Sequence, residues 1–285
     1  MDTDETNAAG SNADQRGQGA TPKLLYKYLD HHGLDAIANL ELKVTPPNEF
    51  NDPFEFIPRF VAETEGDWQA FYQNSKKQSG FPPIGYDEFR RTYSISRSVA
   101  TVRTKFQNLS SKLFAVLCLS ADPQSVTQWG YYAAGHSGLV LELKMTEQPF
   151  SALIDNKLLI TVRYCNADER KPQPIHSMLN EEGTTEIERL LLDAAAEKSR
   201  EWHEEKEYRL IIALGPMRFL QSRLVGGRVM HFVKFGAQTI NRVILGAKAS
   251  AEFEREVRKA VALRGIPNDR VIRASIDLEN YCVRA

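Results

Sequence analysis

From Lys23 onward the chain alternates between short apolar runs of strand length and longer stretches with helical spacing. Leu24 to Leu29 reads as a first strand and Gly33 to Asn39 as a short helix. A strand near Leu42 to Val44 follows, and Pro46-Pro47 stops it. From Glu63 to Lys112 the spacing is mainly helical, with Trp68, Phe71 and Tyr72 on one side and a break around Gly80 to Gly85. Leu113 to Leu119 is a continuous apolar run, the pattern of a central strand. Asp122 suits a helix N-cap and Pro123 the first helical position, predicting a helix through Trp129 and Tyr132 that ends near Gly135. Strands are predicted at Gly138 to Met145 and Leu158 to Tyr164. The clearest helix is Thr184 to Glu204, where Leu190, Leu191, Ala194, Ala195, Lys198 and Trp202 keep helical spacing. A strand from Glu205 to Leu214 comes next, then a Gly226-Gly227 turn before Val229 to Phe235. A closing strand, helix and strand are predicted at Arg242 to Leu245, Ala251 to Leu263 and Val271 to Ile276.

This irregular interleaving predicts an α+β fold: a mixed, mainly antiparallel β core flanked by helices. The expected organisation is a disordered, polar tail over residues 1–22 and a single domain over 23–285, with a helical insertion near 63–112.

The chain has 285 residues, 36 Lys and Arg against 37 Asp and Glu, and a net charge of -1. That balance points away from general nucleic-acid binding. No apolar run approaches the roughly 18 residues that span a bilayer, so no membrane partner is expected. Three widely spaced cysteines, Cys118, Cys165 and Cys282, suggest a reducing, cytoplasmic setting. The histidines form no cluster with metal-ligand spacing, and no metal is expected.

The chemistry concentrates at Glu205-Lys206-Glu207-Tyr208-Arg209. If this is one strand, Glu205 and Glu207 share a face, and Tyr208, Leu210 and Ile212 share the apolar one. Two fixed carboxylates at a sheet end are suited to acid–base work or to gripping a sugar hydroxyl. The plainer reading is a strand start neutralised by Lys206 and Arg209. Asn51, Asp52 and Glu55 lie in an Asx-Pro turn and are a possible second acidic site for a hard cation, although such residues commonly bond their own backbone.

Several segments together resemble a bacterial family of unknown function numbered 2971. They are Leu25-Tyr26-Lys27-Tyr28, Phe50-Asn51-Asp52-Pro53-Phe54-Glu55, Cys118-Leu119-Ser120 with Trp129 and Tyr132 to Gly138, Trp202 to Arg209, and Val243-Ile244-Leu245-Gly246. A remoter resemblance is to ADP-ribosyltransferases, which carry a basic residue on an early strand, a Ser at a central strand end and a late Glu. Lys27, Ser120 and Glu205-x-Glu207 stand in that order here, with Lys where that superfamily has Arg or His. The resemblance implies a split-sheet fold and an enzyme consuming NAD as substrate, of the toxin or defence-effector kind, with an acceptor of unknown kind. Glu207 would stabilise the ribose in an oxocarbenium-like state and Glu205 would orient the nucleophile. Lys27 and Ser120 would hold NAD, with Trp129 or Tyr132 walling the nicotinamide. The competing readings are a metal-dependent hydrolase or nuclease built on Asp52, Glu55, Glu205 and Glu207, and a non-catalytic interaction module.

Overall fold

The computed structural model describes residues 21–179 and 184–285. All but the last two positions of the expected N-terminal tail lie outside them. The expected α+β class holds. A seven-stranded sheet runs in the order Val271–Arg273, Ile240–Leu245, Leu139–Lys144, Leu24–Leu29, Phe114–Ser120, Glu207–Ala213, Leu159–Thr161. Every neighbouring pair is antiparallel except the first, where the helix Ala251–Leu263 makes the crossover that two parallel strands require.

Alternation explains how the sheet packs on both faces. Leu117, Leu119, Leu210 and Ile212 join Leu25, Leu139 and Leu141 in one core, closed by the helices Gly33–Asn39 and Ala251–Leu263. Phe114, Val116 and Ile211 point the other way. They meet the helices Glu65–Lys76, Tyr86–Thr92, Ile95–Leu113 and Thr184–Ala195. On that same face, Tyr28, Val140 and Ile244 pack separately against Trp129 and Ala133.

The sheet is split between these two clusters. Leu24–Leu29 pairs along its whole length with Leu139–Lys144, and Phe114–Ser120 does so with Glu207–Ala213. The first and central strands, in contrast, meet at a single register position, Tyr26 opposite Ser120. Beyond it the ladder is missing, and a cleft opens.

Several elements depart from the sequence pattern, among them the predicted strand Leu158 to Tyr164, which is two strands, Leu159–Thr161 and Arg163–Cys165, in different sheets. The predicted helix Thr184 to Glu204 ends at Ala195. Glu197–Ser199 is a short strand beside Arg163–Cys165, and Arg200–Glu205 is a 3-10 turn. Arg163, which donates to Glu197 Oε1 at 2.5 Å, helps to hold that strand and overrides local helix propensity. The second helix starts later than expected: Ser125 caps Val126–Tyr131, while Asp122 Oδ1 accepts from the Gln124 N–H. Leu220–Val225 is a strand that its polar, exposed sequence did not announce.

Leu117 lies fully buried in the middle of the central strand. Leu117→Ala is expected to cost about 2–5 kcal/mol. Urea unfolding followed by circular dichroism measures this, and a loss under about 1 kcal/mol would contradict the packing described.

Candidate active site

The cleft encloses about 820 Å³. Its floor is a cluster of buried charges. Lys198 Nζ lies 2.8 Å from Glu55 Oε1, 2.6 Å from Glu205 Oε2 and 3.1 Å from Glu207 Oε2. Arg209, fully buried, forks onto Glu207 through Nε to Oε1 at 2.8 Å and through a terminal nitrogen to Oε2 at 2.9 Å. The same guanidinium donates to Glu55 at 3.0 Å and to the Ala195 carbonyl at 2.9 Å, and it stacks on Phe56 at 4.5 Å. Three carboxylates are thus interlocked with two cations. Removing either cation leaves uncompensated carboxylates in a low-dielectric site.

Local structure explains how the two late acids meet. They are not successive same-face positions of one strand, as the sequence suggested. Glu205 ends the 3-10 turn, Lys206 adopts a left-handed conformation at φ 45° and ψ 50°, and the strand begins at Glu207. Such a conformation costs a non-glycine residue about 1–2 kcal/mol. It is held because Lys206 Nζ donates to Asp122 Oδ2 at 2.7 Å and its carbonyl accepts from the Ala121 N–H at 3.0 Å. Lys206 is therefore spent on Asp122, and the neutralising partners of the acids are Arg209 and Lys198.

Lys27, Ser120, Tyr132, Glu205 and Glu207 all line this cleft. Lys27 Nζ donates to the Cys118 carbonyl at 2.9 Å, an acceptor left open where the strands part. Tyr132 donates its hydroxyl to Glu205 Oε1 at 2.9 Å. Ser120 has a different task. Its Oγ donates to the Glu205 carbonyl at 2.7 Å and accepts from the Asp122 N–H at 3.0 Å and Gln128 Nε2 at 3.0 Å. Its hydrogen-bonding capacity is used in fixing the backbone that carries Glu205. Gln128 Nε2 reaches that same carbonyl at 2.6 Å.

Trp129 does not enter the cleft. It is fully buried behind the wall, edge-on to Tyr28 at 5.4 Å, with its indole N–H on the Pro123 carbonyl at 2.9 Å. Asp52 accepts the Phe54 N–H at 2.9 Å, so the plainer turn reading describes it, and Glu55 parts from Asn51 and Asp52 to join the buried cluster. The sequence reading missed Lys198, Arg209 as a bidentate anchor, and Gln128. The one available signal was a lysine among apolar positions of a presumed helix, where a charge needs a partner.

Burial alone raises the Glu207 carboxyl, but the Arg209 guanidinium and then Lys198 outweigh it and hold the group at about 2. At Glu55 burial wins over Arg209 and Lys198, and its carboxyl is pushed up. Burial opposes the charge of Lys198, yet Glu207, Glu55 and Glu205 together keep the ammonium well above its ordinary range. Burial, then Glu205, raises the Tyr132 phenol.

The part of the chain that supplies most of this site has a recognisable family pattern. Residues 128–210 match the family model described as protein of unknown function, DUF2971. They include Gln128, Tyr132, Lys198, Glu205, Glu207 and Arg209. No curated protein and no solved structure matches the chain.

The depressed Glu207 carboxyl contributes stability that is complete above its ordinary value near 4.5 and is lost as pH falls through about 2. Urea unfolding across that window is expected to show the wild type losing stability with acid and Glu207→Gln showing a flatter profile. Parallel profiles would remove Glu207 as the titrating anchor. Lys198→Met is expected to destabilise by about 3–5 kcal/mol at neutral pH, because Glu205 then has no cation and Glu55 and Glu207 share Arg209 alone. Thermal unfolding at matched pH checks that loss.

Proposed function

We propose that the cleft binds NAD and that the protein is an ADP-ribosyltransferase-like enzyme, breaking the bond between nicotinamide and ribose. The DUF2971 pattern then extends over the chain from Lys23. What carries this reading is the split in the sheet: it puts Lys27, Tyr132, Glu205 and Glu207 around one cleft at the strand ends.

The charge balance supports it. The floor carries one more carboxylate than it has cations. As the bond at ribose C1′ breaks, its electron pair leaves with nicotinamide and positive charge develops on the sugar. A rigid carboxylate excess in a site walled from water stabilises that charge without reorganising. Water or a nucleophilic acceptor then bonds to C1′ and releases a proton.

The roles of the two acids exchange relative to their sequence order. Glu207 accepts three charged hydrogen bonds, from Arg209 twice and from Lys198. Glu205 accepts two, from Lys198 and Tyr132, and retains more lone-pair capacity for a ribose hydroxyl. Glu205 is thus the residue facing substrate, and Glu207 the anchor that fixes Lys198. Lys27 and Lys43 line the cleft as cations for the diphosphate, and Tyr26, Tyr132 and Trp202 give it aromatic walls. A metal-dependent hydrolase fits less well, because the Lys198 ammonium already fills the place among Glu55, Glu205 and Glu207 that a divalent cation would take.

Purified protein incubated with NAD is expected to release nicotinamide. Glu205→Gln should lower the rate about a hundredfold or more while leaving thermal stability near wild type. Lys27→Ala should act mainly on KM. Absence of nicotinamide release, with water and with candidate protein acceptors alike, rejects the reading.

A further inference from the structure

We infer that the hairpin Leu220–Val225 and Arg228–Lys234 docks on an anionic phospholipid surface, inserting its apolar tip between the headgroups. This is a peripheral contact beside the cleft, and it does not depend on the reaction proposed there.

Three observations meet on this face. First, the tip is apolar and open. Gly226 and Gly227, at φ 58° and 80°, make the tight turn, and Leu224, Val225 and Val229 around it are 71%, 39% and 55% exposed. Second, the two segments that meet here are basic although the chain is nearly neutral. Residues 216–234 contain four Arg and Lys and no acid, and the helix Ile95–Leu113 likewise contains four and no acid. Third, the two segments meet. A shallow basin of about 400 Å³ beside the hairpin is lined by Asn108, Ser111 and Lys112 of the helix and by Arg228, Val229 and His231 of the hairpin. Its one acid, Glu49, lies 3.9 Å from Lys43. Arg223 is already paired with Glu41 and stacked on Phe232, and Lys112 and Arg228 are the cations that line the basin.

The combination selects the occupant. A polyanion such as nucleic acid would use the cations but has no place for exposed leucine and valine at the tip. An apolar protein partner would use the tip but not the cations beside it. A bilayer with anionic lipid uses both: acyl and glycerol regions take Leu224, Val225 and Val229, while headgroup phosphates seat in the basin against Lys112 and Arg228.

Co-sedimentation of the full chain with vesicles tests this. Binding is expected to vesicles of equal parts phosphatidylserine and phosphatidylcholine, to be weak or absent with phosphatidylcholine alone, and to fall as salt rises. The double variant Lys112→Glu, Arg228→Glu should lower partitioning at least tenfold, at about fivefold per cation removed. Leu224→Ser with Val229→Ser, which leaves charge unchanged, should lower it several-fold. All four positions are exposed, and unaltered thermal unfolding of each variant shows that the fold is kept. Equal binding to both vesicle types, no binding to either, or binding indifferent to the Ser pair overturns the inference. So does a hairpin-dependent dimer in sedimentation velocity, duplex DNA binding, or inorganic phosphate binding that is unaccompanied by vesicle binding.

Discussion

The structure turns on one lysine ammonium held by three buried carboxylates. Isolated charges in a protein interior cost several kcal/mol each, and the cost is offset only if partners and hydrogen bonds are supplied in good geometry. Lys198 comes from a three-residue strand, Glu55 from a loop, Glu205 from a 3-10 turn, and Glu207 with Arg209 from the sheet. These segments have little regular structure to share. What fixes them against each other is that neither cation can leave without stranding the carboxylates it holds. The interaction that secures the floor of the cleft is therefore the same one that shapes the site.

The surrounding polar groups make sense as support for that cluster. Ser120 and Gln128 both spend themselves on the Glu205 carbonyl, and Tyr164 accepts the Glu207 N–H at 2.8 Å through its hydroxyl. Lys206 and Asp122 brace the left-handed turn from outside. Each of these holds backbone rather than ligand. The split in the sheet does the complementary work: where the first and central strands part, unpaired backbone and Lys27 face the cleft instead of a neighbouring strand. One strand pair left unmade yields the opening, and one buried cluster yields its chemistry.

Much of this was legible in the sequence, for identifiable reasons. Strands such as Leu24–Leu29 and Phe114–Ser120, and the helix Ala251–Leu263, were readable because burial on one or both faces imposes a period on the residues themselves. The parity of Glu207 and Arg209 against Tyr208, Leu210 and Ile212 was readable for the same reason. The end of the helix at Ala195 was not, because nothing local stops it: the residues from Glu197 leave the helix for partners at Arg163, Glu55 and Glu207. Lys198 was consequently placed on a helix face, and the central cation of the site went unnoticed. Ser120 was noticed but given a ligand's role, because a strand-end serine looks alike whether it holds substrate or backbone. Tertiary electrostatics has no period, and it is the part that sequence pattern leaves dark.

Net charge was the least informative of the sequence quantities, and the structure shows why. A total of -1 arises from segregation rather than from even mixing. The cleft concentrates acid: Glu49, Asp52, Glu55, Glu201, Glu205 and Glu207 line it with Lys27, Lys43 and Lys198. The hairpin and the helix Ile95–Leu113 contain basic residues without acid. A field set up this way has a direction, and a neutral sum conceals it. The cleft gathers carboxylates in a confined space, and the hairpin with its neighbouring helix presents cations on an open one. The two regions meet at Glu49, which lines both the cleft and the basin beside the hairpin, so the boundary between acidic and basic surface falls at that turn.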